Sequence, residues 1–391
     1  MTDPLAARRS AIRFILCLGV VSLLADMTYE GSRSILGPYL EGLGASAAQV
    51  GLIAGFGEML AAGLRFFSGR LADRTRAYWP LVFLGYGINI VVVPALAFVG
   101  NWQGAALLIV AERTGKSVRG PARDVLLSSA TKETGHGWGF GLHAAMDQTG
   151  AVLGPLLIAA IVAREQRFAP AFLVLVVPAV LTVAALVAAR AVHRTREAPP
   201  PPPALPAKLP PVFWPYVAAA GLLAAGFVDF PLLAFHFQRH QLAAPAAIPL
   251  LYALAMAVVG ATALLLGRLY DRYGIVVLCG GVALSLLALP LGFLGGPSQV
   301  LVSIVCWAVG MGAQDATLRS GIAQVVSMDK RGTAFGTFNA VYGVMWFAGS
   351  AVMGLLYERS IVALVVFGVV MQMVAAGIFL RLRSRLAVAA G

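Results

Sequence analysis

The chain has 391 residues, 59% of them hydrophobic and 12% charged, with a mean hydropathy of +0.84. Soluble domains are about a quarter charged, so this composition excludes a soluble globular protein and points to a membrane-embedded one. The formal net charge of +12 reads as arginine collected in cytoplasmic loops rather than as a nucleic-acid surface, and no nucleic-acid partner is expected.

Apolar runs long enough to cross a bilayer as helices fall near residues 13–39, 47–68, 79–100, 104–127, 138–163, 169–191, 213–237, 246–266, 274–295, 299–322, 334–357 and 361–381. The alternating-polarity segments of a membrane β-barrel are missing. The predicted class is therefore all-α integral membrane, with twelve transmembrane helices. Arg8 and Arg9 precede the first run, and no small-residue cleavage signature follows it, so it is expected to stay as a helix. Cys17, Cys279 and Cys306 all lie in apolar runs without metal-ligand spacing, so neither a metal site nor a disulfide framework is expected.

The first run holds the stretch ADMTYEGSR, residues 25–33. Asp26, Glu30 and Arg33 are four and three apart and share a helix face. A charge inside a membrane costs at least about 2.5–3.5 kcal/mol on insertion scales, so these residues are expected to be paired or functional. Glu30 and Arg33 suit a structural ion pair, while Asp26 is freer to bind a proton. Burial disfavours the charged form of a carboxylate, which proton exchange near neutral pH requires.

The second run adds Glu58 and Arg65. The fourth carries Arg113 and a stripe of Glu112, Lys116, Arg119 and Arg123 at 4-3-4 spacing. Arg113 and Lys116 either neutralise the acids of the first two runs or bind an anionic substrate. The GKS of this run, Gly115 to Ser117, is not a phosphate loop, because Val110 stands where that loop needs glycine. The fifth run begins with His143 four residues before Asp147, a pair suited to relaying protons or simply to hydrogen bonding. It continues with Gly150, Gly154 and Pro155, which favour close helix packing and a kink. Residues 197–211, EAPPPPPALPAKLPP, form an extended spacer that divides the chain into 1–192, a linker at 193–212, and 213–391. The second half places Asp229 and His236 on one face and Asp315 near Arg319. Gln314, Asn339, Tyr342 and Trp346 supply polar and aromatic cavity contacts or ordinary packing.

Basic residues alternate between the two sides. Arg8, Arg9, Arg13, Arg70, Arg74, Arg76, Lys132, Arg190, Arg194, Arg196, Lys208, Arg268, Arg272, Lys330, Arg331, Arg381, Arg383 and Arg385 fall on one, and only Arg164, Arg167, Arg239 and Arg359 on the other. Both termini are therefore expected in the cytoplasm. The halves also echo each other. GRLADR at 69–74 returns as GRLYDR at 267–272, and GFGLHAAMDQTGAVLG at 139–154 is loosely matched by AFGTFNAVYGVMWFAG at 334–349. Such duplication marks a transporter built from two repeats.

GRLADRTR resembles the loop signature of the major facilitator superfamily, carried here by Gly69, Asp73, Arg74 and Arg76, with a second copy at Gly267, Asp271 and Arg272. The resemblance covers the whole chain and extends to a bacterial branch with motifs similar to drug/proton antiporters. It implies two six-helix bundles that alternate access to a central cavity. It implies a gate in which Asp73 faces the start of the eleventh span, near residues 332–335, held by Arg119 or Arg123; ordinary positive-inside charge is the plainer reading. It also implies a helix-packing motif at Gly150, Gly154 and Pro155, with Ile158 and Ala159 where the family carries further glycines and Ser350 in place of the proline in the second half. Arg113 takes the place of a coupling arginine, with Ser117 where the family has glycine. The expected function is secondary active transport, namely proton-coupled efflux of a small organic compound, or alternatively import or exchange of an organic anion. No enzyme activity and no cofactor are expected, the proton gradient being the energy source. The expected setting is a bacterial inner membrane, with a small-molecule substrate, protons and lipid as partners and the protein a monomer.

Overall fold

The computed structural model describes residues 4–131, 136–192, 209–326 and 331–390. In chain order the helices are α1 (Pro4–Ser34), α2 (Leu36–Gly42), α3 (Ala47–Thr75), α4 (Tyr78–Ala95), α5 (Trp102–Thr131), α6 (His136–Glu165), α7 (Phe168–Val174) and α8 (Val176–Val192). They continue with α9 (Phe213–Gly226), α10 (Phe230–Arg239), α11 (Ala247–Tyr273), α12 (Val276–Ser285), α13 (Ala288–Phe293), α14 (Pro297–Val325), α15 (Arg331–Arg359) and α16 (Ile361–Ala390). No strand occurs among the described residues. Lipid offers backbone groups no hydrogen bonds, so apolar runs of this length satisfy them internally as helices.

Eleven stretches among the described residues are long and apolar enough to span a bilayer. The expected span at 104–127 is α5, whose 30 residues reach about 45 Å. Its charges keep it from the apolar standard that the other eleven meet. The spacer residues 193–208, Lys132 and Lys330 lie outside the described residues, and so does the side chain of Asp73.

Contacts group the chain into two compact units, Met1–Ile35 with Leu64–Pro201 and Leu36–Gly63 with Pro202–Gly391. In the first unit α1 packs along α6 and α8, and α4 along α5. Its interior is apolar around Phe14, Ile15, Leu18, Val82, Tyr86, Leu127 and Leu186. A Cβ at Gly150 would collide with the Leu23 backbone, 3.0 Å from its Cα, and one at Gly154 would lie 2.8 Å from Met27 Cα. The two glycines thus bring α6 into backbone contact with α1.

In the second unit α9 packs against α15 and α16, and α11 and α12 against α14. Gly349 meets Ala225 of α9 as Gly154 meets Met27 of α1, so the sequence duplication reappears as duplicated helix contact. Residues 36–63 belong to this unit because α2 lies on α10, with Gly37 against the Pro231 carbonyl, and because Gly51 and Gly55 of α3 lie on Ser350 and Phe347 of α15.

Local chemistry ends the helices. Arg76 (φ 52°) closes α3 with its N–H on Ala72 O, and Gly274 (φ 63°) closes α11 with its N–H on Tyr270 O, each at 2.8 Å. These left-handed ends follow the two copies of the loop signature.

The seventh span is one run in the sequence but two helices in the structure. Phe227, Val228 and Asp229 are extended between α9 and α10. The cause is local: Asp229 takes the N-cap position with Pro231 in the first turn, where proline loses no helix hydrogen bond. The freed groups are met by side chains. Gln372 donates to Gly226 O (2.9 Å) and itself accepts from Ser285 (2.7 Å), while Trp307 Nε1 donates to Val228 O (2.8 Å). The Asp229 carboxylate accepts from Trp346 Nε1 (2.8 Å) and Ser350 Oγ (3.0 Å). Ser350, where the family pattern has proline, thus has a role that proline lacks.

Asp229→Ala leaves the buried indole N–H and hydroxyl without their acceptor, at about 1–3 kcal/mol for each unsatisfied group. Asp229→Asn keeps an acceptor oxygen. Thermal unfolding in detergent is expected to show a clear loss for alanine and a smaller one for asparagine; equal losses would show that the carboxylate oxygen does not hold the break.

Candidate functional site: a charged cluster on α1, α5 and α6

Ten charged residues of the first unit converge from three helices, α1, α5 and α6, with α4 packed behind α5. Glycines allow this. Gly85 and Gly115 bring α4 against α5, and Gly150 and Gly154 bring α6 against α1. Five acids (Asp26, Glu30, Glu112, Asp124, Asp147) stand with five bases (Arg33, Arg113, Lys116, Arg119, Arg123), so the cluster is balanced in charge.

Most of its members have close partners. Lys116 Nζ is 3.9 Å from Glu30 and 3.4 Å from the centre of the Tyr29 ring, whose other neighbour is the Arg113 guanidinium at 4.8 Å. Arg33 donates to Tyr29 Oη (3.1 Å). Tyr29 is therefore a platform for two cations and an acceptor for a third. Glu112 is 3.7 Å from Arg113. Arg119 lies over the Tyr86 ring (4.3 Å), and its guanidinium stands 2.6 Å from the Asn89 amide, which can accept from it only with its oxygen turned towards Arg119. Arg123 donates to exposed Asp124 (3.0 Å) and to Ser22 (3.2 Å), and lies 3.9 Å from Asp147. Ser22 also hydrogen-bonds His143 Nε2 (3.2 Å), which is 3.8 Å from Asp147.

Asp26 differs from these. It is half-buried on α1, within electrostatic reach of Asp147, Lys116, Arg119 and Arg123. Its carboxylate makes no side-chain hydrogen bond or close ion pair among the described residues. It is the acid of this cluster whose charge is balanced by surroundings rather than by a contact.

The second unit gathers another group of expected site residues. Tyr342 donates to Gln314 (3.0 Å) and stacks near Trp346 at 5.6 Å. Glu58, Asp229, Asp315 and Arg319 surround Tyr342 electrostatically. Asn339 is half-buried on α15. His236 pairs with Tyr357 (2.9 Å). Of the loop signatures, Gly69 packs on Pro121 (3.6 Å) and Gly267 on Ala316 (3.9 Å), and Arg74, Asp271 and Arg272 are exposed at helix ends. Arg119 and Arg123, expected to hold Asp73 at the gate, have partners inside the first unit's cluster, and the Asp73 side chain lies outside the described residues.

Sequence reasoning did not single out Ser22, Tyr29, Tyr86, Asn89 or Asp124. Ser22 and Tyr29 were findable, as they lie one turn either side of Asp26 on its helix face. Asn89 and Tyr86 sit in an uncharged span whose partner helix is known only from the fold.

The sequence profile of the Major Facilitator Superfamily matches residues 18–350, and the chain belongs to that superfamily of membrane transporters. An uncharacterised protein of Mycobacterium tuberculosis is 41% identical over 375 residues, covering 94% of this chain and 92% of the relative. An uncharacterised MFS-type transporter of Methanocaldococcus jannaschii is 32% identical over 149 residues, covering 38% and 37%. Among solved structures, a mutant of the peptide transporter POT superposes with a TM-score of 0.79 at 15% identity, covering 100% of this chain and 99% of that one. The nucleoside transporter NupG gives 0.68 at 15%, covering 96% and 98%. At such identities the likeness is one of fold. The chain is a multi-pass, non-enzymatic membrane transport protein.

Proposed function

We propose that the protein is a proton-coupled secondary transporter that exports a small organic compound by alternating access. The supporting observation is Asp26. It is a half-buried carboxylate inside a spanning helix, without a close partner, in a cluster whose other charges are engaged. An intramembrane acid of this kind is costly to keep and suits reversible protonation. In the cycle proposed, Asp26 takes a proton from the outer side and releases it to the cytoplasm, and the opposite step carries substrate. The positive-inside pattern supports cytoplasmic termini and, with bacterial relatives, an inner-membrane location. Counting α5 gives twelve spans. Packing of Lys116 on Glu30 and Tyr29 favours neutralisation over anion binding at that residue.

The test uses proteoliposomes with an internal pH dye, an imposed proton gradient and a panel of cationic, neutral and anionic compounds. Proton movement opposite to a cationic or neutral compound is expected. A response to anions only would move the substrate site to Arg33, Arg113 and Lys116 and favour an organic-anion importer or exchanger.

A further inference from the structure

We propose that Ser22 and His143 form the relay by which the proton on Asp26 leaves the cluster, with Asp147 as the counter-charge of the protonated imidazole. This rests on reading Asp26 as the coupling acid.

The first ground is the order of the groups. Met146 of α6 meets Gly19 of α1, Gly150 meets Leu23 and Gly154 meets Met27. The residue numbers rise together, so the two helices run parallel in a fixed register. From their starts, His143 comes first, then Asp147, then Ser22, then Asp26. Ser22 precedes Asp26 by four residues and shares its helix face.

The second ground is a closed ring of contacts. Ser22 Oγ is 3.2 Å from His143 Nε2 and 3.2 Å from Arg123 Nη1. Asp147 completes the ring, 3.8 Å from the same His143 nitrogen and 3.9 Å from the same Arg123 nitrogen. A guanidinium only donates. The Ser22 oxygen therefore accepts from Arg123, and its own hydrogen turns to His143 Nε2. That assigns the neutral imidazole its hydrogen on Nδ1. A histidine kept only for packing would have that N–H bonded. Here Nδ1 is buried without a hydrogen-bond partner among the described residues, and so is Asp147 Oδ1, the oxygen that faces Nε2.

The transfer balances. Ser22 gives its hydrogen to Nε2 and takes the proton of Asp26. Asp26 becomes a carboxylate, the hydroxyl is restored and His143 becomes an imidazolium facing Asp147. The imidazolium then loses its proton from Nδ1 to water on the side where α1 and α6 begin. Because Nδ1 is closed off in this arrangement, release waits for the helix movement that brings water to it. The other charged or titratable groups around the relay are Lys116, Arg119 and Asp124 from α5 and Tyr86 from α4.

The test needs no substrate, since the proton is the probe. The purified full-length protein in lipid nanodiscs is jumped from low to high pH. The infrared C=O band of protonated Asp26, identified as the band missing in Asp26→Asn, is followed in time. In Ser22→Ala and His143→Ala the band is expected to keep its amplitude and to decay about 10²-fold more slowly than in the parent. Added imidazole is expected to restore the rate in His143→Ala but not in Ser22→Ala, which separates a carrier of protons from a residue that only packs. His143→Gln, which keeps the bulk of the side chain, gives the same slow decay where the alanine variant does not fold. Parent-like rates in the folded variants overturn the relay and leave Asp26 standing. Slow decay in His143→Ala that imidazole does not restore overturns His143 as the carrier. If Asp26→Asn removes no band at any pH, the reading of Asp26 itself fails.

Discussion

Gly150→Val is expected to abolish transport and to lower the thermal stability of the protein, whereas Gly141→Val, on the same helix, is expected to leave both nearly unchanged. The difference lies in what a side chain meets. At Gly150 even a Cβ runs into the Leu23 carbonyl and lies 2.9 Å from its carbon. The obstacle is backbone, which cannot rotate away as a side chain can. The helices α1 and α6 must separate, and overpacking of this kind costs about 1–3 kcal/mol or more. Gly141 has nothing within 4 Å of its Cβ position. Gly154→Val should behave like Gly150→Val, through Met27. Separation of α1 from α6 also displaces the helix that carries Asp26, so transport should fail even where the protein still folds. Thermal unfolding followed by size-exclusion chromatography checks the first effect, and uptake into proteoliposomes the second. A Gly150→Val protein as stable as the parent would show that α6 does not rest on α1 through this residue.

The membrane class, most of the spans and the internal duplication were legible in the sequence, because bilayer thickness and lipid chemistry leave few solutions for an apolar run. Asp26, Glu30, Lys116 and Asp147 were legible as a group for a related reason: charges in spans are expensive and stand out. What the sequence did not carry was pairing between helices. Glu30 next to Arg33 suggested a local pair; what it could not show is that Lys116 of α5 also stands beside Glu30 and that Arg33 also reaches the Tyr29 hydroxyl. Arg119 and Arg123 read as gate residues, and the structure adds partners no local pattern shows, Asn89 and Tyr86 for the first and Ser22 and Asp124 for the second. The break at Phe227–Asp229 was signalled by Asp229 and Pro231 yet masked by an unbroken apolar run. Its carbonyls could be satisfied only by residues far along the chain, Trp307 and Gln372, which no local pattern reveals.

Asp26→Asn is expected to uncouple the transporter rather than unfold it. Asparagine keeps the size of the side chain, and the aspartate carboxylate has no hydrogen bond or close ion pair to lose among the described residues. Only the exchangeable proton disappears. Proton-driven transport should fall by about 10²-fold or more, the usual worth of a positioned proton carrier, while exchange of substrate down its own gradient continues. Glu30→Gln is the internal comparison. Glu30 stands 3.9 Å from Lys116, so its loss should disturb that cation and slow transport moderately without removing the proton coupling. The most direct measurement is substrate-dependent proton flux in proteoliposomes containing the parent protein, Asp26→Asn or Glu30→Gln, each shown to be folded. Flux lost in Asp26→Asn and kept in Glu30→Gln is the predicted result; pH-driven transport retained by a folded Asp26→Asn protein would contradict the account.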